Sequence, residues 1–189
     1  MKMPIAAALV LAGLSLFRHR PPPVVSDLPS FSLIDQTGAR FGSEQLKGKV
    51  WIANFIYTRC GGVCPRFTAQ MAELERRAEK RKLDVRFVSF ALDPAHDGPD
   101  ALREFARAHG ADWTFLTGTV DEVQAAVVKG LKIAANPEAE DPASMFHGSY
   151  FVLVDGDGRV RGYYDSGVPE RVDAILPDAA AVVAAAASN

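Results

Sequence analysis

Cysteine is scarce in this chain: two residues in 189, Cys60 and Cys64. A chain of this length has room for one well-buried domain and is short for two. It therefore has little need of a disulfide scaffold. Strong charge of either sign is also missing. The formal net charge is −2, which leaves no electrostatic footprint for a nucleic acid or another polyanion. No internal repeat is visible and no phosphate-binding loop surrounds any glycine cluster; "DGDG" at 155–158 reads as a hairpin turn. Kinase, hydrolase and nucleotide-binding signatures are absent with it.

Long apolar runs are nearly absent as well. The one at the amino end, "IAAALVLAGLSLF" (Ile5–Phe17), follows Lys2 and covers 13 residues. As a helix it would span only about 20 Å, against a hydrocarbon core of roughly 30 Å. That length suits the apolar region of a secretory signal. No A-x-A cleavage site follows. "LAGL" (Leu11–Leu14) resembles a lipoprotein box with leucine where the lipidated cysteine would stand, and Arg18, His19 and Arg20 oppose the usual charge bias of a translocated flank. Residues 1–23 are expected to be a signal peptide or membrane anchor with a stiff spacer at Pro21–Pro23. The folded domain is expected over 24–189, on the periplasmic or extracytoplasmic face of the inner membrane.

What is present is ordinary globular material, 48% hydrophobic and 23% charged, organised as alternating strands and helices. "SFSLIDQTGARF" predicts two short strands around Thr37-Gly38. "KVWIANFIYT" predicts a buried strand. Phe67, Met71, Leu74 and Ala78 recur at helical spacing. A strand over "LDVRFVSFAL" follows, then a helix from Pro99 to His109 ended by Gly110 and a short strand in "DWTFLTG". A helix over Val120–Lys129 and a hairpin turning at Asp155–Gly158 come next, and "AAAVVAAAAS" predicts a terminal helix. This order predicts an α/β fold of the thioredoxin-like kind: a central mixed sheet, helices on both faces and an N-terminal β-hairpin.

The two thiols fall where a buried strand ends, near Tyr57, and a helix begins, near Cys64, with Pro65 in its first turn. A helix amino terminus favours negative charge, so a depressed thiol pKa and a ready thiolate are expected. Three uses compete. A structural disulfide closing so small a loop would add little stability. A redox-active pair fits this position, although the common spacing is C-x-x-C and this one is C-x-x-x-C. A metal site fits too: thiolates favour soft ions, Cu(I) above all, and imidazole takes either copper oxidation state. Two thiolates need a third ligand. His19 lies outside the domain and His109 reads as a helix-end residue. His96, in "LDPAHDGPD", could face the site. His147 precedes a strand at the end of a long irregular stretch from about Ala134, which in a compact domain points to function. It is the favoured third ligand.

The stretch "LKGKVWIANFIYTRCGGVCP", the block "VSFALDPAHDGPDALREFARAHGADWTFLTG" and the block "HGSYFVLVDGDGRVRGYY" together resemble the Sco/SenC family of copper-binding, thioredoxin-like proteins, over roughly Leu28 to Ile175. The resemblance implies that Cys60, Cys64 and His147 bind copper, as Cu(I), Cu(II) or both, and that Asp93 matches an acidic residue near that site. It implies delivery of copper to the dinuclear site of the copper-bearing subunit of cytochrome c oxidase during assembly, with another copper chaperone or a thiol reductant as further partners. Some members act as thiol-disulfide reductases, so an extracytoplasmic oxidoreductase is the alternative, and a copper-responsive or redox sensor a third. Gly61 departs from a common proline, and Phe146 from a common aspartate.

Overall fold

The structure of the protein, a computed structural model, describes residues 19–60, 62–135 and 149–188. Among these, eight strands form one sheet. In chain order the elements are β1 (Ser26–Asp27), β2 (Ser32–Asp35), β3 (Arg40–Gly42), α1 (Ser43–Leu46), β4 (Val50–Ile56), α2 (Val63–Lys80), β5 (Val85–Ala91) and α3 (Pro99–Ala108). They continue with β6 (Thr114–Thr117), α4 (Val120–Val123) running on into a π-helical stretch (Gln124–Gly130), β7 (Tyr150–Val154), β8 (Arg159–Asp165) and α5 (Pro169–Ala186). The sheet order is β1-β8-β7-β4-β5-β6-β2-β3. β4, β5 and β6 run parallel, and the remaining pairings are antiparallel.

β4 sits in the middle with all seven of its residues buried: six are apolar, and Asn54 is accommodated by accepting a hydrogen bond from the Ser89 hydroxyl at Oδ1; the burial is continuous rather than alternating, as a covered parallel strand requires. Its pleat divides the core in two. Val50, Ile52 and Ile56 face α2 and α5, packing with Phe67, Met71, Leu74, Ile175 and Leu176. Trp51, Ala53 and Phe55 face the opposite layer, with Val88, Phe90, Val123 and Val127. The helical spacing of Phe67, Met71, Leu74 and Ala78 does bury one stripe of α2, and Phe67 meets Phe151 of β7 at 4.5 Å between ring centres. The β2–β3 and β7–β8 hairpins form where the turn pairs predicted them. Gly110 closes α3 at φ +60° and Gly158 closes the β7–β8 turn at φ +77°, a backbone region where a side chain is strained.

Two features depart from the pattern. The helix expected over Val120–Lys129 becomes π-helical after Val123, with Leu131 N–H donating to the Ala126 carbonyl at 2.9 Å. The wider turn brings Gly130 against Leu28, where a Cβ would fall 2.7 Å from Leu28 Cδ1. The spacer is also held on the domain. Arg161 Nε donates to the Pro22 carbonyl at 2.8 Å, Val25 N–H to the Val160 carbonyl at 2.8 Å, and His19 Nε2 lies 2.5 Å from Asp178 Oδ1. Among the described residues no helix is long and apolar enough to cross a membrane; the apolar run Ile5–Phe17 lies outside them.

The end of the sheet at the amino termini of β4 and β5 opens a cleft of about 750 Å³ lined by Glu75, Glu79, Asp84, Asp112 and Trp113 among others. Burial on α2, with Glu79 and Asp112 nearby, pushes the Glu75 carboxyl up to about 7. A folded-state pKa above the unfolded one means that the folded protein binds the proton more tightly between about pH 4.3 and the raised value, so stability is lost as pH rises through that window. We expect Glu75→Gln to raise the melting temperature at pH 8 and to leave it nearly unchanged at pH 4.5. Equal effects at both pH values in thermal melts would show that this carboxyl is not held in its neutral form.

Candidate metal centre

The cysteines occupy the opposite end of the sheet, at the carboxyl terminus of β4. The strand stops at Ile56, Tyr57 remains buried, and Cys60 N–H donates back to the Tyr57 carbonyl at 3.2 Å. Gly62 then caps α2 without a side chain. The first-turn N–H groups of a helix have no partner within it, and the Cys64 N–H uses this freedom to donate to Cys60 Sγ at 3.3 Å. Both thiols are free and both are buried, Cys60 at 8% and Cys64 at 1% exposure.

The two thiols differ in acidity. Burial alone would raise the Cys60 pKa, but hydrogen bonds from the Tyr57 side chain, the Cys64 thiol and the backbone N–H groups of Cys64 and Gly62 outweigh it and hold Cys60 below an ordinary thiol. For Cys64 the balance reverses. Deeper burial pushes it far up, and the Cys60 sulfur it bonds to and the nearby Asp97 carboxyl add to the rise. The expectation of a depressed thiol thus holds for Cys60 and fails for Cys64. The helix terminus favours one anion, and a second beside it meets both desolvation and repulsion.

A second loop, between β5 and α3, supports the first. Asp93 is buried at 1% exposure; its Oδ2 accepts from Arg59 Nε at 3.0 Å and Nη2 at 2.6 Å. Its Oδ1 lies 2.8 Å from His96 Nδ1, so the imidazole donates to the carboxylate through that nitrogen. Asp97, fully buried, accepts at Oδ1 from the Thr58 N–H at 3.1 Å and the Thr58 hydroxyl at 2.6 Å. Burial is the leading cause that raises the Asp97 pKa; the Thr58 bonds oppose it.

The structure therefore brings Cys60 and Cys64 together and places Asp93 and His96 on the neighbouring loop. Among the described residues no group of three or more His, Cys, Asp or Glu side chains is placed to hold a metal ion. His147 and its neighbour Phe146 lie outside the described residues, as does Gly61. His109 caps α3, as its position before Gly110 suggested. Asp97 and Arg59 were not singled out from sequence. The signal available for Asp97 was its i+4 spacing from Asp93 across a loop, which by itself reads as turn chemistry.

Residues 25–183 match the family model described as SCO1/SenC. The chain belongs to the SCO1/SenC family. It is 36% identical over 161 residues to a SCO1 protein homolog of Bacillus subtilis strain 168, covering 82% of each chain. Among solved structures it resembles a SCO1/SenC family lipoprotein of Bacillus anthracis at a TM-score of 0.77 and 34% identity, over 87% of this chain and 99% of that one. BsSco, described as carrying a disulfide switch and belonging to the Sco family of cytochrome c oxidase assembly proteins, aligns at a TM-score of 0.76 and 34% identity, over 87% and 98%. A copper-bound ScoI of Bradyrhizobium japonicum aligns at 0.67 and 26%, over 80% and 98%. These Sco neighbours share the thioredoxin-like fold predicted from the order of elements.

The inequality of the thiols in this SCO1/SenC chain has a direct readout. At pH 7 iodoacetamide should label Cys60 roughly tenfold faster than Cys64, since the thiolate is the nucleophile. Peptide mapping after short exposure checks this, and equal labelling would remove the asymmetry.

Proposed function

We propose that this chain is an extracytoplasmic copper metallochaperone. In this reading Cys60, Cys64 and His147 hold the ion and pass it to the dinuclear copper site of cytochrome c oxidase during assembly. The observation that carries the reading is the pair of free, buried thiols converging at one helix terminus, in a family with a copper-bound member. The donor set fits the cargo: two sulfurs are soft, both are buried, and Cu(I) prefers thiolate over oxygen ligands. Copper held this way moves by ligand exchange, each thiolate giving way to a recipient ligand in turn. Imidazole at His147 would extend the site to Cu(II). Residues 1–23 serve as the signal or anchor that puts the domain over 24–189 outside the cytoplasm, at the inner membrane.

A second reading rests on a different observation, the unequal thiols. A low-pKa Cys60 beside a protonated Cys64 suits a nucleophile and its resolving partner. Cys60 thiolate would attack a disulfide of the recipient and release one recipient thiolate. Cys64, losing its proton, would then displace the second recipient thiolate. The Cys60–Cys64 pair is left oxidised and the recipient's two cysteines reduced. A thiol reductant restores the pair.

His147→Ala separates the two. The reductive step needs only the two sulfurs, whereas copper retention draws on the imidazole. Under copper delivery the variant should lose copper retention, most visibly for Cu(II), which favours imidazole more than Cu(I) does, keep its dithiol–disulfide interconversion, and fail to support oxidase activity in a deletion strain under copper limitation, with rescue by added copper. Wild-type oxidase activity under those conditions would reject delivery in favour of reduction. Cys60→Ser or Cys64→Ser should each abolish chelator-resistant Cu(I) binding, and stoichiometric copper in either would remove the thiolate ligands from the proposal.

A further inference from the structure

Three residues separate the end of β4 from Cys60, and the last two, Thr58 and Arg59, are each gripped by a different carboxylate of the β5–α3 loop. The grip is specific in chemistry and in direction. Thr58 gives both its N–H and its hydroxyl to one oxygen of Asp97. Arg59 gives two guanidinium N–H groups to one oxygen of Asp93. The loop that supplies the carboxylates is itself a single turn: the N–H groups of His96 and Asp97 both donate to the Asp93 carbonyl, at 2.9 and 2.8 Å. That turn is registered on the sheet, since Leu92 N–H donates to the Ile56 carbonyl at 2.8 Å and so extends the β4–β5 pairing one residue past the strand end.

Carboxylates are costly to bury unless their oxygens are engaged. Asp97 is wholly buried, and its Oδ2 has no hydrogen-bond partner among the described residues. A loop that needed only to be closed would be served by a backbone acceptor or by an exposed side chain. Here two buried carboxylates, four residues apart, converge on the two residues preceding the reactive sulfur. Cys60's own backbone bond, to the Tyr57 carbonyl at 3.2 Å, is by comparison long.

We propose that Asp93 and Asp97 form a two-carboxylate clamp on Thr58 and Arg59 that positions Cys60 Sγ against the Cys64 N–H, making both aspartates positioning residues for the thiol pair. The proposal rests on reading that pair as the working centre. Neither aspartate is assigned to the metal or to the bond-making step. Each acts through the residue it holds. His96 takes part on the outer side, donating to the Asp93 oxygen that Arg59 leaves free.

The test compares four variants of the full chain: Asp97→Ala, Asp97→Asn, Thr58→Val and, at the far end of the sheet, Asp155→Asn. The dithiol–disulfide equilibrium constant is measured in dithiothreitol redox buffers by alkylation of Cys60 and Cys64, and Cu(I) affinity by competition with a chromophoric chelator. Asp97→Ala and Thr58→Val should shift the equilibrium constant by about tenfold, the scale of a charge-assisted hydrogen bond, and weaken Cu(I) by about 10- to 100-fold. Asp97→Asn keeps an oxygen for both Thr58 donors and should restore most of each. Asp155→Asn should lower the melting temperature without moving either quantity, which separates positioning from general stability. If Asp97→Ala does not fold, Thr58→Val decides, because it removes only the hydroxyl donor. A folded Asp97→Ala or Thr58→Val with the wild-type equilibrium constant would overturn the clamp. The redox measurement needs no copper, so a wild-type chain unable to hold Cu(I) would defeat the delivery reading while the clamp is still judged by the equilibrium constant.

Discussion

The thiol pair is joined by one backbone contact on which its geometry depends, the Cys64 N–H, which points at Cys60 Sγ from the first turn of α2. A helix leaves that N–H without an internal partner, and the helix dipole adds favourable potential for negative charge. For the bond to form, β4 must deliver Cys60 to the helix end at the right height, so the strand and the helix have to be fixed relative to one another. The core does this through Ile52 and Ile56 of β4 against Phe67 and Met71 of α2. The loop between them is then short of freedom, and one sulfur is placed to be the stabilised anion.

Buried carboxylates occur at both ends of the sheet. Away from the thiols, Asp155 at the β7–β8 turn accepts from the N–H groups of Asp157 and Arg159 and from the guanidinium groups of Arg159 and Arg161. Burial opposes its ionisation, and these four partners hold its pKa below the ordinary carboxylate value. That aspartate is fully engaged and serves the hairpin. At the thiol end Asp93 has both oxygens engaged, but Asp97 is buried with less compensation: one of its oxygens has no partner among the described residues and burial raises its pKa. Incompletely satisfied buried polar groups cluster where geometry is held for a purpose other than stability.

The fold was largely legible because its strong signals are local. β4 reads as a covered strand from a run that is apolar at every position but Asn54, α2 from a helical stripe, and both hairpins from glycine-bearing turn pairs. What escaped was set by distance in sequence. β1 is two residues long and exists through pairing with β8, a partner more than a hundred residues away. The π-helical turn at Gln124–Gly130 sets Gly130 against Leu28, a contact that no period in the segment announces. At the centre, the position of the cysteines before Pro65 exposed the helix-terminus chemistry. Composition treats two cysteines alike, however, and only burial shows that Cys64 lies deeper and is forced up in pKa while Cys60 is lowered. Asp93 was legible through its D-P pair and its family resemblance. Asp97 was not, because a buried aspartate in a loop looks like any turn residue until its partner Thr58 is seen.

The unequal thiols bear on both proposed activities through the same electrostatics. Hydrogen bonds lower the Cys60 thiol while burial and the neighbouring Cys60 sulfur raise that of Cys64, so of the two Cys60 is the easier to ionise and a second anion would be desolvated beside the first. A monovalent soft cation between the sulfurs would remove the cause of that penalty: its charge offsets the repulsion, and its bonds replace the lost hydration. Metal binding would then release chiefly the Cys64 proton. A disulfide removes the same penalty by a different route, since neither sulfur of the bond carries charge. Copper loading, as proposed, and oxidation would thus be competing fates of one buried dithiol: an oxidant that takes two electrons from the pair to form the disulfide leaves no thiolate for the ion to bind. A protein built on this pair is sensitive to redox state whether its task is to carry the ion or to reduce the site that receives it.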